Sequence, residues 1–442
     1  MIAEHLIHAS PFFWAILGVF IVTFIAIIFE HKIKVDKTPT ALLGGSIIWS
    51  IIMIGVQNGL FDGNVSNEAL NHELTRHLGE ISKTLIFLIC AMMIVETIDG
   101  HGGFHVITDR INTVNTYKLF WIISVLSFFF SAALDNLTTT IVMCSLIGKL
   151  IYDKKTQWTF ALIVVITANA GGAWSPIGDV TTIMLWVAGK VTTWALIKHV
   201  FIPSIVCAIL PILIVGRNLK GDVIKPTKTR KDVPGDAVTI RERNLIFWLG
   251  LSALISVPIL KMVAGIEPVL GIMPGLGVVL VVAEFLHKDK DNRGHLQVAG
   301  ILRRIDMKSI LFFLGILLAV GGLETTGHLE MAAQNLDRHI EDPYVKNGVI
   351  GVASSVVDNV PLVSGGMGMY PKVPQDDLFW ILLAFCAGTG GSLLPIGSAA
   401  GVAAMGAMKF DSMWYIKRGT LPAFIGYIAG MLVFWLNWQL LQ

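Results

Sequence analysis

The sequence predicts an all-α protein that crosses a membrane many times, and three observations lead to that prediction. Of its 442 residues, 54% are hydrophobic and only 14% are charged, whereas an average soluble domain carries about 25% charged residues. Twelve apolar segments follow one another along the chain, and eight of them are uninterrupted. Three sequence motifs of the first half recur in the second half. This composition excludes a soluble enzyme, a nucleic-acid-binding protein and a disordered chain.

The eight uninterrupted segments are each about as long as a membrane-crossing helix, which needs about 20 mostly apolar residues. They are residues 11–30, 40–57, 82–99, 199–216, 244–260, 268–287, 308–325 and 419–440. No Lys or Arg occurs in the first ten residues, so no cleavable signal peptide is predicted and the first helix should remain as an anchor. The net charge of +2 predicts no polyanionic partner such as a nucleic acid.

The other four apolar segments are each interrupted by polar or helix-breaking residues. The interruptions lie at residues 135–140 (DNLTTT), 169–179 (NAGGAWSPIGD), 358–361 (DNVP) and 388–395 (GTGGSLLP). Unpaired backbone N–H and C=O groups are costly in lipid, so such interruptions persist only where protein or a water-filled cavity satisfies them. We interpret segments 118–152 and 345–371 as re-entrant hairpins, and segments 158–190 and 376–408 as broken spanning helices.

The distribution of Lys and Arg predicts which loops face the cytoplasm, because cytoplasmic loops retain these residues. With the N-terminus outside and both hairpins re-entrant, 25 of the 33 basic residues lie in cytoplasmic loops and 8 lie outside. If segment 118–152 crossed the membrane instead, the counts would become 11 inside and 22 outside. The charges therefore favour a re-entrant first hairpin with both termini outside, and they barely test the second hairpin.

The recurring motifs indicate a duplicated and inverted architecture. Residues 95–101 (VETIDGH), 131–136 (SAALDN) and 170–178 (AGGAWSPIG) recur in the same order as 323–328 (LETTGH), 354–359 (SSVVDN) and 389–397 (TGGSLLPIG). Each half holds five crossings, one of them a broken helix, and one hairpin, so the second copy is inverted. We predict a first repeat at 1–216, a basic cytoplasmic linker at 217–243 and a second repeat at 244–442. Inverted repeats with broken helices are typical of secondary transporters.

The predicted hairpin tips carry the first candidate ion site. Asp135 and Asp358 lie at the tips and are followed by Asn136 and Asn359, and a carboxylate at membrane depth is costly and rarely only structural. We predict these four residues as the Na+ ligands. An alternative role for each Asp is to cap the N-terminus of a half-helix. Further oxygen ligands in the all-oxygen environment are predicted at Thr138, Thr139, Asn169, Ser175, Thr389 and Ser392.

Three further groups of titratable residues have two interpretations each. Asp179 is a ligand or proton carrier, or else the N-cap of a short helix at 180–189; its repeat partner is uncharged. Glu96 and Glu324 end predicted helices and are followed by His101 and His328. These four could relay protons or sense pH near neutrality, or they could be interfacial residues that contact headgroups or loops.

These motifs resemble those of the NhaD-type sodium/proton antiporters, in the ion transporter superfamily that also contains arsenite permeases and sodium-coupled dicarboxylate carriers. The stretches that carry the resemblance are 131–140 (SAALDNLTTT), 167–182 (TANAGGAWSPIGDVTT), 354–361 (SSVVDNVP) and 388–398 (GTGGSLLPIGS). The resemblance implies exchange of Na+ or Li+ for H+ across a bacterial inner membrane by a homodimer with two re-entrant hairpins. We expect no enzymatic activity and no cofactor.

A carboxylate that binds either Na+ or H+, but never both, would couple the two flows by competition. We expect cytoplasmic Na+ to exchange for external H+ at a site shared by Asp135 and Asp358. The alternative is an anion carrier of the same superfamily, either an arsenite permease or a Na+-coupled dicarboxylate symporter. In the dicarboxylate carriers the hairpin tips resemble Ser-Asn-Thr, whereas an Asp-Asn tip would repel a dianion and therefore favours a cation as substrate.

Overall fold

The computed structural model describes residues 11–58, 66–109, 111, 113–217, 219–223, 238–288 and 291–441. Within these ranges the chain forms helices and no β-strand. The predicted absence of a signal peptide concerns the first ten residues, and these lie outside the described ranges, as do Gln442 and most of the predicted linker 217–243.

The helices follow one another along the chain with few long connections. Their bounds are α1 Pro11–Ile28, α2 Glu30–Ile33, α3 Lys37–Gln57, α4 Asn67–Gly100, α5 His105–Thr108, α6 Thr116–Leu134, α7 Asn136–Leu150, α8 Lys154–Ala173, α9 Val180–Val187, α10 Thr193–Gly216, α11 Ile240–Ala264, α12 Pro268–His287, α13 Val298–Leu302, α14 Met307–Thr325, α15 His328–His339, α16 Pro343–Ala353, α17 Asn359–Met369, α18 Leu378–Gly390, α19 Ala399–Met408, α20 Ser412–Tyr415 and α21 Leu421–Leu441. A 3-10 helix covers Asp291–Leu296, and a π-helical turn joins α20 to α21 at Ile416–Thr420.

Among the described residues, nine helices are long and apolar enough to cross a membrane. Eight of them coincide with the eight uninterrupted segments, so the prediction of an all-α polytopic membrane protein is confirmed. The ninth is α6, the first arm of the predicted hairpin at 118–152. Its 19 residues extend about 28 Å, so this arm is as long as a crossing helix.

All four interrupted segments are broken in the structure, but the breaks are placed differently from the prediction. Only Asp135 separates α6 from α7, and residues 354–358 separate α16 from α17. Residues 174–179 separate α8 from α9, and 391–398 separate α18 from α19. Three of the four following helices begin directly after a residue whose side chain caps them: Asp135, Asp179 and Ser398. A capping residue satisfies N–H groups of the first turn, and after Asp135 the helix resumes at Asn136, sooner than the predicted interruption 135–140 implies.

The chain folds into two compact units, and each contains residues from both halves of the sequence. The first unit comprises Met1–Ile86, Asp306–Lys346 and Val360–Pro374, and the second comprises Phe87–Ile305, Asn347–Asn359 and Gln375–Gln442.

In the first unit, α3 packs closely against α14 and α1. Gly45 and Gly315 let the α3 and α14 backbones approach, because a Cβ at Gly45 would overlap the carbonyl oxygen of Gly315. Small residues at such crossings are typical of helix packing in membranes. The indole of Trp49 donates to the carbonyl oxygen of Leu318 at 2.9 Å, which fixes the register of the two helices.

In the second unit, two helices are buried on nearly all sides. Every residue of α8 from Phe160 onward is buried, as is every residue of α18 from Phe379 onward. Helices α6, α7, α10, α18 and α19 all pack against α8. A helix that is apolar all round belongs in the interior of a protein or bilayer. The ends of α8 and α18 are the two predicted broken-helix sites, so these breaks are held inside protein.

A buried hydrogen bond recurs at equivalent positions of the two halves. The Ser131 hydroxyl donates to the carbonyl oxygen of Ala168 at 2.6 Å, and the Ser354 hydroxyl donates to that of Ala387 at 2.8 Å. In each case a serine four residues before the Asp of an Asp-Asn pair binds the helix that precedes a break. The sequence repeat is therefore matched by a repeated contact.

Candidate functional site

Asp179 is the N-cap of α9 and lies almost completely buried, with 1% of its surface exposed. Its Oδ1 accepts hydrogen bonds from the backbone N–H of Thr181 at 2.9 Å and from the Thr181 hydroxyl at 3.0 Å. The Thr182 side chain accepts in return from the backbone N–H of Asp179, at 3.2 Å. These contacts form a capping box, so Asp179 has the capping role that was one of its two predicted interpretations.

Both asparagines of the Asp-Asn pairs also donate to this carboxylate. Asn136 Nδ2 lies 2.6 Å from Asp179 Oδ2, and Asn359 Nδ2 lies 3.3 Å from Asp179 Oδ1. Asn136 begins α7 and Asn359 begins α17. One carboxylate thus joins the N-termini of three helices, each of which follows a break.

The hydrogen bonds continue through Asn169 to the fourth break. Asn136 Nδ2 also donates to Asn169 Oδ1 at 3.0 Å, and Asn169 Nδ2 donates to the hydroxyl of Ser398 at 3.0 Å. We call Asn136, Asn169, Asp179, Asn359 and Ser398 the central polar network. Each of the five has 5% or less of its surface exposed. The network lies within the second unit and includes residues in or next to all four observed breaks.

Asp135 occupies the single-residue break between α6 and α7 in a strained backbone conformation. Its φ of 81° and ψ of 160° are rare for a residue with a side chain. The carboxylate accepts hydrogen bonds from the Thr138 backbone N–H at 2.8 Å and from the Thr138 hydroxyl at 2.9 Å. The chain is held in this conformation by the cap that Asp135 forms on α7.

Asp135 and Asp358 are both electrostatically coupled to Asp179. Asp135 is half-buried in the break before α7, and Asp358 is half-buried in the break before α17. The charge of Asp179 acts on Asp135, and that of Asp358 acts on Asp179. Three carboxylates in one partly dehydrated region repel one another. Such a group is stabilised when a proton or cation neutralises part of its charge.

Among the described residues, the hydrogen-bond donors to the Asp179 carboxylate are amides, a hydroxyl and a backbone N–H. None of them belongs to Lys, Arg or His. A buried carboxylate normally has a charged partner or a bound ion. The central polar network thus offers oxygen and amide groups to Asp179 without a cationic side chain among its donors.

The predicted hydroxyl ligands have different environments. Thr138 is bound to Asp135, as described above. The Ser175 hydroxyl donates to the carbonyl oxygen of Ala132 at 2.5 Å, which ties the second break to the end of α6. Thr139 Oγ1 is buried and has no hydrogen-bond partner in the part of the chain that the structure describes. An oxygen in this state is an available ligand position in the first turn of α7.

The structure does not join the predicted ligands Thr389 and Ser392 to the central polar network. The Thr389 hydroxyl donates to the carbonyl oxygen of Phe385 at 2.6 Å, one turn earlier in α18. The Ser392 hydroxyl donates to the carbonyl oxygen of Thr389, also at 2.6 Å. Both hydroxyls therefore satisfy local backbone, as Ser and Thr in helices often do.

Glu96 and His101 lie near the end of α4. Glu96 is half-buried, and the charges of Asp99 and Arg304 act on it. His101 is buried, its Nδ1 lies 2.7 Å from the carbonyl oxygen of Thr97, and its Nε2 lies 2.9 Å from Nε2 of His287. His101 thus contacts a second histidine rather than a lipid-facing surface.

Glu324 and His328 belong to the first unit. Glu324 Oε1 lies 3.4 Å from a guanidinium nitrogen of Arg76. The His328 ring is buried and stacks on Phe13 with 3.8 Å between the ring centroids, and its Nε2 lies 3.0 Å from the Phe13 carbonyl oxygen. Among the described residues, the hydrogen-bond partners of Asp179 do not include any of the four predicted relay or pH-sensing residues Glu96, His101, Glu324 and His328.

Sequence reasoning missed two members of this arrangement as functional residues. Thr181 provides two of the donors to Asp179, and its position two residues after an Asp is a recognisable capping signal. Ser398 occupies the repeat position of Asp179, caps α19 and accepts from Asn169. The alignment of the two repeats identifies Ser398 as the uncharged partner of Asp179, and this is the sequence signal for its position in the network.

Comparison with known proteins gives a consistent group of relatives. A protein-family model described as a citrate transporter, CitMHS, matches residues 24–382. Sodium/proton antiporters 1 and 2 of Arabidopsis thaliana are 43% and 40% identical to this chain; the matches cover 92% and 93% of it, and 69% and 96% of those proteins. The Na(+)/H(+) antiporter NhaD of Alkalimonas amylolytica is 30% identical over 95% of this chain and 90% of its own length.

Proposed function

This chain belongs to the family of NhaD-type sodium/proton antiporters, within the wider citrate transporter family, and from that premise we propose that it exchanges cytoplasmic Na+ or Li+ for external H+. The family indicates a transporter rather than an enzyme. We place the protein in a bacterial inner membrane as a homodimer. The distribution of Lys and Arg favours a location of both termini outside the cytoplasm. It works without a cofactor.

One observation carries the mechanism: the buried Asp179 carboxylate accepts hydrogen bonds from both Asn136 and Asn359 and is coupled to two further aspartates. A group of carboxylates in a partly dehydrated site binds positive charge, and that charge is supplied by Na+ or by H+. The two ions compete for the same oxygens. Binding of one therefore releases the other, and this competition couples the two flows.

The Na+ ligands in this proposal come from the two Asp-Asn pairs. Asp135 and Asp358 supply carboxylate oxygens, and Asn136 and Asn359, which donate through Nδ2, supply their amide oxygens. Asp179, whose charge the sequence repeat carries in only one half, is the central residue of the site in this proposal. Thr138, Thr139, Asn169 and Ser175 complete the set of oxygen ligands in this proposal, because hard cations favour oxygen ligands. Thr389 and Ser392 also remain oxygen ligands in this proposal, since a hydroxyl that donates to a backbone carbonyl oxygen keeps lone pairs for a cation.

The transport cycle follows from an inverted repeat with two re-entrant hairpins. The equivalent bonds of Ser131 and Ser354 and the equivalent caps of Asp179 and Ser398 support a structural duplication. In the cycle, the hairpins and broken helices move as one body past the remaining helices and expose the site to each side in turn. Sodium binds from the cytoplasm and is displaced by protons outside.

The composition of the site favours a cation over the anionic cargo that the family model's description names. A tricarboxylate such as citrate, or an oxyanion, needs basic groups or many N–H donors to offset its charge. Here the central group is itself a carboxylate, and its described donors include no basic side chain. Dicarboxylate symport is the alternative that this composition opposes. Neutral arsenite needs no basic group, and an arsenite permease is distinguished by the absence of proton flux driven by Na+ alone.

A proteoliposome assay with a trapped pH dye tests the proposed function. We expect NaCl and LiCl gradients to drive proton movement, KCl to drive none, and citrate to be neither accumulated nor required. Asp135→Asn and Asp358→Asn should each abolish the Na+-driven signal. Asp411→Asn is the matched control, since Asp411 is an exposed helix cap outside the site, and it should retain activity. Full activity in both site variants would contradict the proposal.

A further inference from the structure

A cavity of about 260 Å³ lies in the second unit beside the C-terminal half of α7. It is lined in part by polar and charged side chains, among them Asp99, His105, Ser145 and Lys149. Its volume is several times the about 30 Å³ that one water molecule occupies in the liquid. The cavity is therefore large enough to hold a cation together with water molecules.

The α7 residues that line the cavity lie on the helix face that begins at Asp135. They are Val142, Ser145, Leu146 and Lys149, which are spaced by three and four residues and so share one face. Continued toward the N-terminus at the same spacing, this face contains Thr139, Thr138 and the capping residue Asp135. The cavity and the proposed ion site thus lie along one stripe of a 15-residue helix.

Opposite charges meet at the cavity. Asp99 lies within electrostatic range of Lys149, His105 and Arg304, and Lys149 Nζ lies 3.4 Å from His105 Nε2. Burial and the neighbouring Lys149 lower the pKa of His105. The neutral imidazole can then accept a hydrogen bond from Lys149, while Asp99 provides the negative charge of the wall.

We propose, on the basis of the proposed antiport function, that this cavity is the cytoplasmic vestibule through which hydrated Na+ reaches Asp135 along α7. Asp99 raises the local concentration of cations, and Lys149 opposes it, so the balance of these two charges sets how readily Na+ enters. Charges of one sign in a cleft raise the local concentration of the oppositely charged ion, so Asp99 and Lys149 act on Na+ in opposite directions. The basic residues of the loops at 100–118 and 149–157 favour the cytoplasmic side for this vestibule.

Thiol labelling of Ser145→Cys tests the vestibule without measuring transport. Ser145 is exposed, whereas the adjacent Cys144 and the other three native cysteines are buried, so the unmodified protein is the control. We expect a membrane-impermeant cationic reagent to label Ser145→Cys in everted vesicles and not in right-side-out vesicles. Lys149→Cys provides a second exposed position on the same face if the first variant expresses poorly.

Variants that remove the charge of Asp99 or of Lys149 provide a second test of the vestibule. In the Ser145→Cys background, Asp99→Asn should slow labelling by a cationic reagent about two- to five-fold and speed labelling by an anionic one, as loss of one nearby charge in a watery cavity implies. Lys149→Gln should do the reverse. In transport, Asp99→Asn should raise the apparent KM for cytoplasmic Na+ and leave the maximal rate unchanged.

The outcomes separate the vestibule from the antiport function. Labelling only from the outside, no labelling at either position, or rates that ignore both charges would overturn the vestibule, whatever the protein transports. Cytoplasmic labelling with the expected charge effects would support the vestibule even if Na+ drove no proton flux in the unmodified protein, and that flux result would overturn the proposed function alone.

Discussion

Asn136 donates a hydrogen bond through Nδ2 to Oδ2 of Asp179, at a distance of 2.6 Å. This bond joins the start of α7 to the start of α9, two helices whose N-termini follow breaks in apolar segments. The sequence pattern points mainly to the first residue of the pair, Asp135, whereas this bond shows that the second residue, Asn136, contacts the central carboxylate. In the proposed site, Asp179 is therefore as central as the aspartates of the two Asp-Asn pairs.

The capping and ion-binding roles of Asp179 can be separated by replacing it with serine. Ser398 caps α19 at the equivalent position, so Asp179→Ser should keep the cap of α9, which is worth about 1 kcal/mol, and should fold. Because it removes the central carboxylate, it should abolish Na+-driven proton flux in proteoliposomes. Expression and thermal unfolding in detergent report the first effect. Normal flux in a folded Asp179→Ser protein would contradict the role of this carboxylate.

Asn136 and Asn359 should contribute differently to Na+ binding. A hydrogen bond to a charged group contributes about 1.5–3 kcal/mol, and the Asn136 bond is 0.7 Å shorter than that of Asn359. We expect Asn136→Ala to raise the apparent KM for Na+ about ten-fold and Asn359→Ala to raise it less. Asn58→Ala is the control, since Asn58 is exposed and its amide binds the α3 carbonyl oxygen of Ile54. Equal effects of all three changes would argue against the geometry.

Two glycines of the repeated motifs should not tolerate a methyl group. A Cβ at Gly171 would overlap the carbonyl oxygen of Phe128, and one at Gly390 would overlap that of Gly351. Overpacking of this kind costs about 1–3 kcal/mol or more, so Gly171→Ala and Gly390→Ala should lower the thermal unfolding temperature strongly.

Gly148→Ala provides the matched control for these glycine variants. Nothing lies within 4 Å of a Cβ at Gly148 in α7, and Ala favours helix over Gly by about 1 kcal/mol. This variant should be as stable as the unmodified protein or slightly more stable. Equal stability of all three variants would show that α8 and α18 do not approach their neighbours as closely as described.

The stability of the folded protein should fall as the pH is lowered through the range in which His101 becomes protonated. Burial lowers the pKa of His101 below its ordinary value of 6.5, and its neighbours include His287, Glu242, Arg293 and His295. Because the folded state then binds fewer protons than the unfolded state, this contribution is fully present above about pH 6.5 and is lost as the pH falls below it.

His101→Gln should reduce the fall in unfolding temperature between pH 8 and pH 5, measured in detergent. His72→Gln is the control, because His72 is exposed, and it should leave the pH profile unchanged. An identical profile in the unmodified protein and His101→Gln would exclude His101 as the source of the pH dependence.

The sequence predicted the spans well because an apolar run of about 20 residues has few alternatives in a bilayer. It predicted four breaks but not their bounds. The first two are shorter than predicted, since Thr138 lies in the capped first turn of α7 and Asn169 lies within α8, and the other two are displaced along the chain. The sequence indicated Asp179 less strongly than Asp135 and Asp358, because only one half of the repeat has a charged residue at that position. The approach of Asn136 and Asn359 to Asp179 depends on how three helices pack, and no local pattern encodes it. Thr389 and Ser392 are predicted as oxygen ligands, and in the structure their hydroxyls donate to local backbone carbonyl oxygens.

The most direct test of the shared site is the number of protons released when Na+ binds to the purified protein. Isothermal titration calorimetry with NaCl in buffers of different ionisation enthalpy measures that number. If Na+ and H+ compete for the same carboxylates, Na+ binding should release protons from the unmodified protein, and Asp179→Ser should neither bind Na+ nor release protons. Saturable Na+ binding without proton release in the unmodified protein would contradict competition at one site.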